Sequence, residues 1–359
     1  MSNKTWLSVD WALFTGLFTL SVVSMFVLYS AGDQDLGLLT RQSIRMALAF
    51  VVMFAVARIK PEQLLRWTPY LYAAGLIMLI IVLGVGVIGK GAQRWIDLGI
   101  VRFQPAEMMK LAVPMMVAWV MVKKPLPASL PTVILGFVVV AIPVALVIKQ
   151  PDLGTAILIA GSGLVVIFFA GMSWKIIATL TAIVAAAAPL GWYLIHDYQR
   201  QRILTLFDPW ADPLGAGYHT IQSAIAVGSG GAYGKGWLNG SQSQLDFIPE
   251  RSTDFIFAVF SEEFGFIGSL LLLLVYLFVV GRSLYIAIEA KDSYTRLLCG
   301  SLAVTFAIYV FVNIGMVTGI LPIVGVPLPL ISYGGTSMVS LMAGFGILMS
   351  ASSNRWFMH

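Results

Sequence analysis

The chain alternates long apolar runs with short polar breaks, and this pattern predicts membrane-spanning helices. A helix that crosses the hydrocarbon core of a bilayer needs about 20 apolar residues. Turn-forming Gly, Pro and Asp residues occupy the breaks. The pattern predicts an all-α polytopic membrane protein with about ten transmembrane helices, forming a single integral membrane domain over residues 1–359. The ten runs are 11–30, 43–59, 68–88, 106–122, 131–148, 153–171, 174–195, 254–282, 296–319 and 336–352.

Composition agrees with this fold class and narrows the chemistry. Charged residues make up 11% of the chain, whereas a soluble domain carries about 25%. The single cysteine, Cys299, lies in an apolar run, which excludes a disulfide framework and a Cys-based metal site. The three histidines are too far apart in sequence to predict a His-based metal site. A divalent cation held by carboxylates and substrate phosphates, Mg²⁺ or Mn²⁺, would leave little trace in a sequence and stays open.

The distribution of Lys and Arg predicts the orientation, because short cytoplasmic loops carry an excess of these residues. We assign one set of loops, together with both termini, to the cytoplasm. Its cations are Lys4, Arg58, Lys60, Arg66, Lys123, Lys124, Lys175, Arg282, Lys291, Arg296 and Arg355. The outward side also carries cations, and an anionic ligand at the outer membrane surface would explain them. They are Arg41, Arg45, Lys90, Arg94 and Arg102.

The largest segment outside the predicted spans, residues 196–253, is expected to be an extracytoplasmic loop between helices 7 and 8. Long loops in compact proteins are usually functional or disordered, and the Trp, Tyr and Ile residues here favour order. Residues 218–227 predict a short amphipathic helix. Residues 228–237 are rich in glycine but do not match a phosphate-binding loop, because Gly236 follows Lys235. We interpret them as a flexible or tightly turning loop.

Three charged residues at the starts of predicted spans are candidates for function. Glu107 and Lys110 lie three residues apart, which places them on one helix face. Charges are costly in hydrocarbon, so both should face a protein interior or a water-filled cavity. They form either a structural ion pair or a pair that orients a substrate. Asp152 either stabilises the first turn of its helix through the helix dipole or joins Lys110 in one polar cluster.

Residues 245–265 are the most acidic stretch of the chain. Ser252 or Thr253 is expected to cap the eighth helix, with Asp254 in its first turn. The apolar run from Asp254 would extend ~43 Å at 1.5 Å per residue, beyond the ~30 Å hydrocarbon thickness. Its first turns should therefore project outward or line an aqueous cavity. Asp254 is then either a simple first-turn acid or a general base, which must be ionised yet partly desolvated.

Five sequence blocks resemble, in the same order, those of the SEDS family (shape, elongation, division and sporulation). They span nearly the whole chain. Residues 196–202, the Phe-Asp-Pro that follows and the short tails are most similar to the family member that acts in rod elongation; the division member is the runner-up. The blocks are Lys-Gly-Ala-Gln-Arg-Trp-Ile-Asp-Leu-Gly (90–99), Phe-Gln-Pro-Ala-Glu (103–107), Gln-Pro-Asp-Leu-Gly-Thr (150–155), Pro-Glu-Arg-Ser-Thr-Asp-Phe-Ile-Phe (249–257) and residues 313–337, which include Ser-Tyr-Gly-Gly-Thr-Ser.

This resemblance implies a peptidoglycan glycosyltransferase of the bacterial cytoplasmic (inner) membrane, with ten spans, cytoplasmic termini and an outward-facing active site. Its substrate would be lipid II, polymerised with inversion into β-1,4-linked strands with release of undecaprenyl pyrophosphate. Asp254 matches the family's proposed catalytic base, and Glu107, Lys110 and Asp152 match its cavity network. Inversion in one step needs a single base, unlike the carboxylate pair of most hydrolases.

The leaving pyrophosphate needs cations for electrostatic stabilisation. The candidates from sidedness are Arg41, Arg94, Arg102, Arg200 and Arg202; the alternative for each is a phospholipid contact or a salt bridge. The resemblance also implies a class B penicillin-binding protein, other elongation-complex membrane proteins and membrane lipid as partners. No organic cofactor and no nucleic acid are expected. The alternatives are a lipid II flippase or transporter, which the same polar cavity would suit, and a cell-wall scaffold.

Overall fold

The computed structural model describes residues 9–89, 92–97, 102–194, 197–215, 217–245, 247–248 and 250–353. Helices account for most of them. In chain order they are α1 (Trp11–Ala31), α2 (Leu36–Ala57), α3 (Pro61–Val85), α4 (Pro105–Met121), α5 (Leu130–Ile148), α6 (Leu153–Phe169), α7 (Trp174–Leu194), α8 (Asp197–Phe207), α9 (Tyr218–Ser229), α10 (Ser241–Gln244), α11 (Ile256–Ile288), α12 (Ser293–Val317) and α13 (Thr336–Ser353).

Each of the ten predicted apolar runs coincides with one of these helices. Seven are long and apolar enough to cross a membrane: α1, α2, α3, α5, α11, α12 and α13. The number of spans stays a prediction, because α4 and α6 have 17 residues each. The predicted start of the second run was wrong. The Asp35 carboxylate caps α2 by accepting a 2.7 Å hydrogen bond from the Gly37 amide, so Arg41 and Arg45 lie on a helix and not in a loop.

A small antiparallel sheet joins α3 to α4. It consists of β1 (Val87–Gly89), β2 (Ala92–Asp97) and β3 (Arg102–Phe103), in the order β1-β2-β3. The sequence did not predict it, since strands of two to six residues are too short to show an alternating pattern. The sheet places Arg94 above the start of α6.

The apolar core has two large parts that meet at α12. One gathers buried side chains from α1, α2, α11 and α13, and the other from α3, α4, α5 and α6. Phe306 of α12 belongs to the first and Leu298 of α12 to the second. Polar residues of α12 therefore lie at the junction between the two halves of the bundle.

The connection between α7 and α11 is largely folded. It holds α8, a short 3₁₀ turn at Pro209–Ala211, α9 and α10. The predicted amphipathic helix at 218–227 corresponds to α9. Residues 230–236, here called the glycine loop, pack directly on α11. The glycine-rich sequence therefore forms an ordered contact with a helix.

Backbone hydrogen bonds attach the glycine loop to α11 at a break in the helix. Lys235 and Gly236 donate their amides to the carbonyls of Glu262 and Glu263, both at 3.0 Å. In return, residues 266 and 267 of α11 donate amides to carbonyls of the loop at 2.9 and 3.0 Å. α11 can accept this pairing because Gly265 leaves helical geometry, with φ 66° and ψ −164°. A Cβ on Gly265 would lie 2.3 Å from the Gly234 amide nitrogen, so only glycine allows this approach.

At the end of the bundle assigned to the cytoplasm, the Asp10 carboxylate joins three helices. It caps α1 by accepting from the Leu13 amide at 3.0 Å. Arg282 of α11 donates to both oxygens, at 3.0 and 2.8 Å, and Ser352 of α13 donates at 3.0 Å. Burial alone would raise the pKa of Asp10, but the hydrogen bonds from Arg282, Leu13 and Ser352 outweigh it and lower the pKa.

Candidate functional site

Asp254 lies in a turn just before α11, not in the first turn of the helix. The prediction that Ser252 or Thr253 caps the helix was wrong: α11 begins at Ile256, and its N-cap is Phe255, whose side chain makes no capping bond. The turn closes through a 3.0 Å bond from the Thr253 amide to the Glu250 carbonyl. Asp254 is half-buried. Its carboxylate therefore sits at the edge of the bundle, with access to both protein and solvent.

The backbone of this turn is held by α12 and the last loop. Asn313, which is fully buried, donates its amide to the Asp254 carbonyl at 2.8 Å and to the Val326 carbonyl at 2.7 Å. Ser332 donates to the Thr253 carbonyl at 2.6 Å. The amide of residue 333 donates to the carbonyl of residue 252 at 2.8 Å. The recognisable block at 313–337 thus positions the aspartate of the block at 249–257.

The side chain of Asp254 faces a glycine of the same loop. A Cβ built on Gly325 would lie 3.4 Å from Oδ2 of Asp254, and Gly325 has φ 74°. A side chain here would be strained by its backbone conformation, and its Cβ would be in van der Waals contact with the carboxylate. Glycine therefore leaves space beside this oxygen.

Glu107 and Lys110 form the ion pair that their spacing predicts. Lys110 Nζ lies 2.6 Å from Glu107 Oε1, and both side chains are buried. Ser340 of α13 donates to the second oxygen of Glu107 at 2.8 Å. Lys110 also stands over the ring of Tyr309, 5.1 Å from its centroid. Tyr309 was missed by sequence reasoning, since one aromatic residue in an apolar helix carries no distinguishing signal.

Asp152 stabilises the start of its helix, which is one of the two roles left open for it; a cluster with Lys110 stays a prediction. It is the N-cap of α6 and accepts from the Thr155 amide at 3.2 Å. Its second oxygen accepts from the Gln104 amide at 3.0 Å and lies 3.7 Å from the Arg94 guanidinium. Tyr309, whose ring lies under Lys110, packs with Leu158 of α6 in one small apolar cluster. Tyr309 therefore lies between the helix that Asp152 caps and the ion pair on α4.

Residues 324–326 of the last loop lie between Asp254 and this polar network. Gly325 faces the Asp254 carboxylate, as described above. The carbonyl of Val324 lies 2.8 Å from the Cβ position of Gly154, two residues after Asp152. Val326 packs with Tyr309 in one small apolar cluster. The structure thus brings Asp254, Asp152, Lys110 and Glu107 around one loop.

The five arginines predicted to bind pyrophosphate occupy different environments. Arg41 is exposed and lies 3.5 Å from Asp35. Arg94 contacts Asp152 and donates to the Pro151 carbonyl at 2.5 Å. Arg200 donates to a main-chain carbonyl of α7 at 2.9 Å. Arg202 is exposed and lines the cavity described below. Arg102 starts β3, and its side chain lies outside the described residues. Arg94 thus contacts another predicted site residue, Asp152.

Glu262 and Glu263, the two acids inside α11, have different partners. Glu262 is fully buried and accepts from Lys235 at 2.7 Å, from the Ser241 hydroxyl at 3.1 Å and from the Gln242 amide at 3.0 Å. Glu263 accepts from the hydroxyl of Ser30 on α1. Glu262 therefore fixes the long connection to α11, and Glu263 joins α11 to α1.

A cavity of about 320 Å³ opens between α8, α9 and residues 321–323 of the last loop. The ring of His219, on α9, forms part of its wall and stacks on Phe255 with centroids 5.6 Å apart. Among the described residues, no three His, Cys, Asp or Glu side chains are grouped as metal ligands would be.

Known proteins resemble this chain along its whole length. A family model described as "Cell cycle protein", for the FtsW, RodA and SpoVE proteins, matches residues 3–356. The peptidoglycan glycosyltransferase MrdB of Escherichia coli K12 is 53% identical over 340 residues, covering 94% of this chain and 92% of that protein. The probable peptidoglycan glycosyltransferase FtsW of Escherichia coli CFT073 is 36% identical over 317 residues, covering 86% and 75%.

Two solved structures share the fold. A chain from a peptidoglycan synthase complex, described as coordinating polymerization and crosslinking, superposes with a TM-score of 0.86 at 32% identity. The match covers 98% of this chain and 100% of that one. The rod shape determining protein RodA of Thermus thermophilus superposes with a TM-score of 0.75 at 28% identity, covering 98% and 99%. Identity to the relative named MrdB exceeds identity to the one named FtsW, which favours the elongation assignment over the division one.

Proposed function

Because the chain belongs to the SEDS family of membrane proteins, which includes FtsW, RodA and SpoVE, we propose that it is a peptidoglycan glycosyltransferase. It polymerises lipid II into β-1,4-linked glycan strands during cell elongation. The 53% identity to the glycosyltransferase MrdB supports the activity. The observation that carries the site is the carboxylate of Asp254, half-buried at the bundle edge on a backbone held by two other elements.

Asp254 acts as the general base. Its carboxylate removes the proton from the acceptor sugar hydroxyl, and that oxygen attacks the anomeric carbon of the donor. The bond from this carbon to the pyrophosphate oxygen breaks, and undecaprenyl pyrophosphate leaves with the electron pair. Configuration inverts in this single displacement, so one carboxylate suffices. Positioned general bases contribute about 10²–10⁴-fold to rate.

Glu107, Lys110 and Asp152 form the substrate cavity network, in which Lys110 offers positive charge near the leaving group. Arg41, Arg94, Arg102, Arg200 and Arg202 remain candidates for the pyrophosphate, and Arg94 is favoured by its contact with Asp152. A divalent cation, Mg²⁺ or Mn²⁺, is proposed only as a companion of the substrate's phosphates. No organic cofactor is required for this transfer.

The protein is placed in the bacterial cytoplasmic (inner) membrane as one integral domain, with both termini cytoplasmic and Asp254 facing outward. Residues 196–253 form its large extracytoplasmic loop. A class B penicillin-binding protein is the proposed partner, because a chain of the same fold occurs in a peptidoglycan synthase complex. Other elongation-complex membrane proteins and membrane lipid complete the expected partners, and nucleic acid has no role.

Polymerisation of purified lipid II by the purified full chain, with and without the transpeptidase, tests this function. The wild type is expected to form glycan strands, and Asp254→Asn to lose about 10²–10⁴-fold in kcat. Glu250→Gln is the matched control, because it neutralises an exposed acid of the same turn. A thermal melt of each variant separates loss of activity from loss of fold.

Two results would contradict the proposal in different ways. If Asp254→Asn polymerises lipid II at the wild-type rate, the proposed activity is retained but the general base is another group. If the wild type forms no strands under any of these conditions yet moves lipid II across vesicle membranes, the chain is a transporter.

A further inference from the structure

Apart from Arg202, which is a candidate for the pyrophosphate, the cavity of about 320 Å³ between α8, α9 and the last loop has no role in the chemistry described above. Its volume lies in the range of small-molecule sites, about 300–1,000 Å³. α8 contributes Gln201, Arg202 and Thr205, α9 contributes His219 and Thr220, and residues 321–323 form an apolar floor. Three separate elements thus build one concave site.

Two lining residues of the cavity, His219 and Ile323, connect it to the surroundings of Asp254. The imidazole of His219 stacks on Phe255, the residue that follows Asp254, with an interplanar angle of 17°. The floor residue Ile323 is two positions from Gly325, which lies against the Asp254 carboxylate. The cavity therefore adjoins the two segments that surround the proposed base, while Asp254 itself is not among its lining residues.

The lining is suited to an uncharged ligand rich in hydroxyl and amide groups. Thr205 and Thr220 supply hydroxyls, and Gln201 supplies both an amide donor and an acceptor. One side chain of the lining, Arg202, is charged. An apolar floor below several neutral polar groups is the usual make-up of a site that fixes the orientation of a small ligand.

His219 carries an unused hydrogen-bonding atom in this site. Its Nδ1 is buried and has no hydrogen-bond partner among the described residues. Burial lowers the pKa of His219, against the opposing charge of Glu250, so the ring is neutral at neutral pH and presents one donor and one acceptor. Buried polar atoms are nearly always paired, so an unpaired one in a cavity wall marks a place for a ligand atom or water.

We propose that this cavity is a saccharide subsite, in which His219, Thr220 and Gln201 hold a sugar residue of the substrate or growing strand beside Asp254. The inference rests on the proposed function. In this proposal α8 and α9, the helices of the long connection, orient one of two sugars. It is either the acceptor sugar whose hydroxyl is deprotonated or a sugar of the strand that has just been extended.

Binding measurements on the purified full chain test this subsite separately from turnover. The probe is a lipid-free peptidoglycan tetrasaccharide, titrated while protein fluorescence is followed. Wild type should bind it, and His219→Phe, which keeps an aromatic ring on Phe255 but removes both nitrogens, should weaken binding about tenfold. Thr220→Val removes one hydroxyl and should weaken it by a smaller factor. Thr40→Val, at an exposed hydroxyl on α2, is the control and should bind as wild type does.

A second titration with undecaprenyl pyrophosphate distinguishes a sugar from a lipid phosphate. Its affinity should be unchanged in His219→Phe and Thr220→Val. The inference is overturned if wild type does not bind the tetrasaccharide at millimolar concentration, if both variants bind it normally, or if the variants instead weaken undecaprenyl pyrophosphate. Normal tetrasaccharide binding without polymerisation of lipid II would leave the subsite standing and count against the proposed function.

Discussion

Asn313 has a neutral side chain, and its hydrogen bonds hold the backbone of Asp254 in place. Its two donor hydrogens join α12 to the backbone of Asp254 and to Val326. The sequence identified Asp254 as a candidate functional residue because it is a charged residue next to an apolar run. It predicted the Glu107–Lys110 contact because i,i+3 spacing is a local property. Asn313 lies 59 positions from Asp254, and no spacing rule connects residues that far apart.

Replacing Asn313 with leucine is expected to impair turnover more than substrate binding. The change removes the hydrogen bonds to the Asp254 and Val326 carbonyls, at about 0.5–1.5 kcal/mol each, and lets the Asp254 turn shift. Misplacement of a catalytic group by ~1 Å can cost about 100-fold in rate. We therefore expect kcat for lipid II to fall about 10–100-fold with KM nearly constant, as measured by initial rates over a range of lipid II concentrations.

Thr318→Val on the same helix is the matched control for Asn313→Leu. The Thr318 hydroxyl bonds to the Ile314 carbonyl within α12, so its loss should leave kcat near the wild-type value. A wild-type kcat in Asn313→Leu, or a fall that follows the melting temperature equally in both variants, would show that Asn313 does not position the base.

α11 shows what a hydrophobic pattern predicts and what it misses within one element. The apolar run located the helix to within a few residues of its start, because apolar residue types favour burial in lipid and protein. It missed the break at Gly265, since the break exists only through the glycine loop packed against it. The sequence left residues 228–237 as a flexible or tightly turning loop, and it could not identify α11 as the surface on which residues 230–236 pack.

Gly265→Ala is expected to destabilise the protein, whereas Gly281→Ala in the same helix should not. At Gly265 the backbone lies in a region open essentially to glycine alone, which costs about 1–3 kcal/mol for other residues, and the new Cβ would meet the Gly234 amide. At Gly281 nothing lies within 4 Å, so alanine should stabilise the helix by up to about 1 kcal/mol. Melting temperatures in detergent compare the two, and equal shifts would refute the role given to the break.

At the scale of the whole molecule, the lengths of the apolar runs predicted the helices but not which helices pack against each other. Bilayer thickness sets each length locally, whereas packing depends on residues hundreds of positions apart, such as Asp10 and Ser352, 342 positions apart. The Asp10 carboxylate joins α1 to α11 and α13, through Arg282 and Ser352. Its charge is therefore a link between both termini of the bundle.

The hydrogen bonds to the ionised Asp10 carboxylate should stabilise the protein above about pH 4, and this stabilisation should be lost in acid. The pKa of Asp10 is lowered below its ordinary value of 3.8, so the stabilisation is complete above that pH and disappears as pH falls through the lowered value. Asp10→Asn should cost about 1.5–3 kcal/mol at pH 7, the range for a hydrogen bond to a charged group. The difference in melting temperature between wild type and Asp10→Asn, measured from pH 7 to pH 3, should shrink with acidity; a constant difference would argue against the charge.

The pairing of the glycine loop with α11 has a consequence for solvent exchange. The amides of Lys235 and Gly236 belong to a loop, yet they donate to carbonyls of a helix held inside the bundle. Their deuterium uptake should therefore follow the rare openings of α11 and not the fast fluctuations of a surface turn. Mass spectrometry of peptides covering 230–236 should report slow exchange, and faster exchange in Gly265→Ala. The long connection would then behave, on the time scale of hours, as part of the bundle to which it is joined.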